Sequence, residues 1–110
     1  MTTSPVVEII EKQIASNPVL LYMKGTPDAP ECGFSAAAVK SLKAVGAEFA
    51  FVNVLQAPSI RERLPSVSQW PTFPQLFVNG ELIGGSDIVV NMAADGSLKT
   101  LLADASAAAE

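Results

Sequence analysis

The sequence predicts an α/β domain in which a mixed four-stranded sheet is flanked by helices, and three features lead there. Two short β-forming runs, Val19 to Met23 and Phe49 to Asn53, are separated by a stretch of helical periodicity, which makes them parallel neighbours in a right-handed βαβ unit. Two further runs, Leu76 to Val78 and Glu81 to Ile83, are joined by Asn79-Gly80, the dipeptide of a type I′ hairpin turn, and so pair antiparallel. Helical patterns open and close the chain.

The first helix starts at Ser4-Pro5, an N-cap followed by proline at the first helical position, and carries Val7, Ile10 and Ile14 on one face until Asn17-Pro18 stops it. Val19 to Met23 is a buried strand, and Gly25 to Pro30 is the loop that leads to Cys32. A second helix begins at that cysteine, with Phe34, Ala38, Leu42 and Val45 at helical spacing and Gly46 at its end. After the strand ending at Asn53, Pro58 to Leu64 forms a short helix closed by Pro65. Trp70-Pro71-Thr72-Phe73-Pro74 is an irregular, rigid segment, because two prolines within four residues exclude regular helix. Beyond the hairpin, Gly84-Gly85-Ser86-Asp87 opens a helix with Ile88, Val89 and Met92 inward. Gly96-Ser97 starts a last turn bearing Leu98, Leu101 and Leu102, and Ala103 to Glu110 is expected to fray. The order α-β-α-β-α-β-β-α is the layout of the thioredoxin-like fold. The whole of 1–110 reads as one domain with its core in about 5–102.

Composition limits what such a domain does. With 49% hydrophobic and 16% charged residues it lies far from the disordered class. A net charge of −4 opposes binding to a phosphate backbone, so no nucleic-acid partner is expected. The apolar runs fall far short of the roughly 20 residues that cross a bilayer, so no membrane span is expected. Met1 to Ser4 leads straight into Glu8, Glu11 and Lys12 with no basic leader, and the expected location is the cytoplasm. One Cys and no His leave no internal disulfide, no Cys/His zinc site within one chain, and no imidazole for a hydrolase triad.

Cys32 is the first candidate for chemistry. A lone intracellular Cys is usually a small buried hydrophobe, but one at a helix start faces unpaired N–H groups and the positive end of the helix dipole, which favour thiolate. Lys24, at the end of the first strand, and Arg61, on the third helix, read either as solvated cations or as partners for a thiolate or a ligand carboxylate. Phe73-Pro74 is either an ordinary trans bond or a cis one that frees the main chain of Phe73 for an extended peptide. Ser86-Asp87 reads as an N-cap or as part of a carboxylate site at a helix start. Trp70 and Phe34 read as part surface, part packing, with no chemical role, and Gly84-Gly85 lacks the rest of a phosphate loop.

Four blocks resemble one family. Cys32-Gly33-Phe34-Ser35 is the CGFS motif of monothiol glutaredoxins. Tyr22 to Pro27, Trp70 to Gln75 and Gly84 to Ile88 agree with that family in order and spacing, over about residues 5 to 102, and the short form is similar to the bacterial single-domain type. The resemblance implies that Cys32 is the ligand of an exchangeable 2Fe-2S cluster and forms mixed disulfides with glutathione. It implies that Lys24 and Arg61 hold the glycyl carboxylate of glutathione, the Phe73 main chain its cysteinyl part, and Ser86 and Asp87 its γ-glutamyl end, with Pro74 as the cis-proline. Many members carry a second Cys where Ser86 stands, so a disulfide through that position is absent here. A 2Fe-2S cluster takes four ligands, and one Cys per chain with one glutathione each gives a cluster-bridged homodimer. The implied partners are BolA-type proteins and apo acceptors of iron-sulfur clusters. Two other readings use the same residues: a glutathione-dependent thiol–disulfide oxidoreductase acting through Cys32, and a redox-inert interaction domain.

Overall fold

The computed structural model describes residues 4–109. Its sheet consists of β1 (Val19–Met23), β4 (Ala50–Asn53), β5 (Gln75–Val78) and β6 (Glu81–Gly84), in the order β4-β1-β5-β6. β1 runs parallel to β4 and antiparallel to β5, and β5 pairs antiparallel with β6. The mixed sheet expected from the βαβ unit and the hairpin is present, with Asn79 and Gly80 both at positive φ in the turn. Within the loop after β1, β2 (Gly25–Thr26) and β3 (Ala29–Pro30) form a two-stranded ribbon that the sequence reading left as irregular chain.

Five helices surround the sheet: α1 (Pro5–Ser16), α2 (Gly33–Ala44), α3 (Pro58–Ser68), α4 (Ser86–Asp95) and α5 (Ser97–Ala109). The central strand shows why they fall into two layers. Alternate residues of a strand point to opposite faces, and Val19, Leu21 and Met23 bury against Leu42 of α2, Val89 of α4 and Leu98 of α5. Leu20 and Tyr22 bury against Ile10 of α1 and Ile60 and Leu64 of α3 on the other face. Every residue of β1 is buried, and each fully buried aliphatic side chain of this size contributes roughly 1.5–3 kcal/mol. The Tyr22 hydroxyl, carried into this core, donates to Gln13 Oε1 at 2.8 Å, and its ring meets Phe77 edge-on.

Three expectations are corrected. Pro65 does not close α3, which continues to Ser68 and ends at Gln69 in the left-handed conformation. Proline removes only its own N–H bond to the carbonyl four residues back, and Leu64 and Val67 pack on either side of it to hold the helix. Phe34 does not face the core, being 63% exposed; Ser35, at 0%, takes the inward place in the first turn of α2, ahead of Ala38 and Leu42. Ile88 is likewise exposed while Val89 and Met92 pack inward, because the first turn of α4 opens onto a cleft. The last helix, α5, extends from Ser97 to Ala109, its alanine-rich sequence having high helix propensity, and Glu110 lies outside the described residues. Among the described residues no helix is long and apolar enough to cross a membrane.

Candidate functional site

The C-terminal ends of the parallel strands β1 and β4 and the N-terminal ends of α2 and α4 meet at one edge of the molecule. There the seven residues singled out from the sequence, Lys24, Cys32, Arg61, Phe73, Pro74, Ser86 and Asp87, line a single cleft of about 810 Å³. That volume lies within the range of small-ligand sites.

Cys32 is the N-cap of α2, with extended dihedrals and its carbonyl accepting the first helical bond from Ala36 at 2.9 Å. Its sulfur makes no capping hydrogen bond of full geometry, yet it sits over the free amides of the first turn. The N–H of Ser35 above all holds the thiol below its ordinary range; burial, the next largest effect, opposes it, and the N–H of Phe34, the charge of Lys24 and the Ser35 hydroxyl add to the lowering. Among the described residues no group of three Cys, His, Asp or Glu side chains comes together to hold a metal.

Lys24 follows directly on β1, and its main chain is pinned. Its N–H donates to Ser35 Oγ at 3.0 Å and its carbonyl accepts from Glu31 N–H at 3.0 Å. Gly25 beside it has φ +93, and a Cβ there would lie 2.6 Å from both the Ala29 oxygen and the Glu31 nitrogen. Only glycine fits such a close backbone approach. Arg61, exposed on α3, lines the same cleft. Neither cation is engaged in an ion pair, since the one salt bridge among the described residues joins Lys43 to Asp28.

The floor comes from the irregular segment. The Phe73–Pro74 peptide is cis, Pro74 is buried, and the wholly buried Gln75 amide donates to the carbonyls of Trp70 and Thr72 at 3.0 and 3.1 Å, fixing the loop. Gly85 caps α4 and leaves Ser86 and Asp87 in its first turn, where the amides have no helical partner. Gly85 packs so closely on Trp70 that a Cβ there would stand 3.2 Å from the indole nitrogen. The cleft lining thus includes two cations and a helix start, groups that suit a ligand bearing carboxylates.

Trp70 and Phe34, given no chemical role from the sequence, both line the cleft, as do Pro65 and Ile88. Their place inside the Trp70–Gln75 and CGFS blocks was the available signal. A second hollow of about 660 Å³, lined by Gly33 and Val90, shares Cys32, Phe34, Ser86 and Asp87 with the first, so Cys32 borders both.

A thioredoxin-like fold with its one thiol at a helix start, beside a cis-proline loop and a ligand-sized cleft, defines a thiol-dependent protein of the thioredoxin class. Residues 19–83 match the Glutaredoxin family. The chain is 55% identical over 104 residues to Glutaredoxin 4 of Escherichia coli strain K12, covering 94% of this chain and 90% of that one. Its fold is similar to that of reduced poplar apo GrxS14, with a TM-score of 0.78 and 41% identity over 93% of this chain and 94% of that one. It is similar also to the holo form of glutaredoxin C1 from Populus tremula x tremuloides, with a TM-score of 0.82 and 27% identity over 93% and 90% of the two chains. The chain belongs to the glutaredoxin family, and its single cysteine makes it a monothiol member.

Proposed function

We propose that this protein is a glutathione-dependent carrier of 2Fe-2S clusters. The observation that carries the reading is a chain with one thiol, and no second metal-binding group among the described residues, whose sulfur borders a cleft fit for a dicarboxylate peptide. Lys24 and Arg61 receive the glycyl carboxylate of glutathione, the main chain of Phe73 pairs with its cysteinyl unit, and the start of α4 at Ser86 and Asp87 binds its γ-glutamyl end. The cluster is cargo that needs four thiolates. Cys32 and one glutathione supply two of them, and a second copy with its own glutathione supplies the others. The second hollow beside Cys32, extending along Gly33 and Val90, supports this by offering room next to the cysteine for a partner. Since half the ligands are not protein, release needs no unfolding of either protomer, and apo iron-sulfur proteins and BolA-type proteins are the partners in transfer. The cytoplasm is the compartment this reading assigns.

The low-lying thiol of Cys32 supports a second activity at the same place. The Cys32 thiolate attacks the glutathione sulfur of a protein–glutathione disulfide, the protein thiolate leaves, and free glutathione then releases glutathione disulfide and restores Cys32. Ser86 has no sulfur with which to resolve the intermediate, so this cycle depends on glutathione alone. The two activities separate in a paired assay: cluster-loaded protein is mixed with an apo 2Fe-2S ferredoxin and followed by circular dichroism, while turnover of a cysteine–glutathione disulfide is followed with glutathione reductase. Complete transfer with slow turnover is expected; fast turnover without transfer would make the oxidoreductase the function.

A further inference from the structure

On the reading of the cleft just given, we propose that Asn53 is a positioning residue for its two cations, holding the chain that carries Lys24 and the chain that leads to Arg61 in fixed relation through one carboxamide oxygen. The β1–β4 register pairs Asn53 with Met23, so its side chain leaves the sheet where β1 ends. Oδ1 accepts the N–H of Gly25 at 3.0 Å and the N–H of Leu55 at 3.0 Å. Leu55 belongs to the 3-10 turn Val54–Gln56, which passes through Ala57 into α3, and the Arg61 N–H is bonded to the Ala57 carbonyl at 3.0 Å. The β1–β4 ladder joins the two sides only as far as the Met23–Asn53 pair; beyond it the Lys24 side is tied to Ser35, Glu31 and Asn53, and of these three ties only the one to Asn53 reaches the Arg61 side. With neither cation in an ion pair, the separation of the two charges is set by where their main chains are anchored. Two cations recognise one carboxylate only while that separation holds, and a displacement of about 1 Å is enough to weaken a positioned contact.

The test is the binding of reduced glutathione, and of glutathione with its glycyl carboxyl amidated, to the full chain by isothermal titration calorimetry. The unchanged protein should bind glutathione at least about fivefold more tightly than the amide. Asn53→Ala should lose that discrimination while binding the amide as the unchanged protein does, and Asn53→Asp, which keeps an acceptor oxygen in place, should retain it. Asn53→Leu, of similar volume without an acceptor, replaces the alanine variant if that one does not fold. Weakening of both ligands alike, or of neither, would overturn the role of Asn53 and leave the cleft assignment standing. Equal binding of the two ligands by the unchanged protein would overturn the assignment of the cations, and this role with it.

Discussion

Gly25→Ala is the sharpest test of how the site is built. At φ +93 an alanine sits in the left-handed region, which costs about 1–2 kcal/mol for a residue with a Cβ. The added carbon would also lie 2.6 Å from two main-chain atoms, the oxygen of Ala29 and the nitrogen of Glu31, neither of which can swing aside as a side chain does. Relief requires the β2–β3 ribbon to part from Lys24, giving up the Glu31 N–H bond to the Lys24 carbonyl, worth about 1 kcal/mol. Strain and lost bond together come to about 2–3 kcal/mol, and at about 4 °C per kcal/mol for a domain of this size the melting temperature falls by about 8–12 °C. Gly33→Ala is the matched control: a Cβ there meets nothing within 4 Å, and the position opens α2, where alanine is the better helix former. The assay is thermal unfolding by circular dichroism at one pH and salt. A Gly25→Ala protein melting within about 2 °C of the parent would refute the packing argument for this loop.

Cys32→Ser is expected to abolish cluster loading and glutathione mixed-disulfide formation while leaving the melting temperature within about 2 °C, because serine is a better N-cap than cysteine; a destabilised fold would show that the thiol belongs to the core. The folded thiol of Cys32 lies below its ordinary range, so folding favours the thiolate. The stability this gives is complete above the unfolded thiol's value near 8.5 and is lost as pH falls through the folded value. Alkylation by iodoacetamide should therefore inflect below about pH 8.5, and Lys24→Gln should move the inflection upward; an inflection at or above the free-thiol value would contradict the helix-start geometry. Gln75→Ala removes two hydrogen bonds and leaves a buried void, costing about 3 kcal/mol and lowering the urea midpoint; an unchanged midpoint would show that the irregular segment holds itself.

The sheet was legible because its signals are local: β-formers around a helical stretch give the parallel pair, and Asn79-Gly80 gives the hairpin. The errors lie where tertiary packing outweighs a local rule. Pro65 stays inside α3 because Leu64 and Val67 bury on both sides of it. Phe34 and Ile88 match a helical apolar face, yet each sits in the first turn of a helix, where that face has passed beyond the core to the cleft rim. Cys32 and its neighbours at the cleft were legible as residue types in motifs. The ties that place them were not, because Asn53 Oδ1 reaching Gly25 and Ser35 Oγ reaching Lys24 span 28 and 11 residues and leave no periodic trace.

The measurement that tests the central claim most directly is anaerobic reconstitution with iron and sulfide, with and without glutathione, analysed for iron, sulfide, bound glutathione and mass. The account predicts a coloured dimer holding one 2Fe-2S cluster and two glutathiones per two chains, formed only when glutathione is present. A protein that stays colourless and monomeric with glutathione, or that loads a cluster equally well without it, would contradict the account.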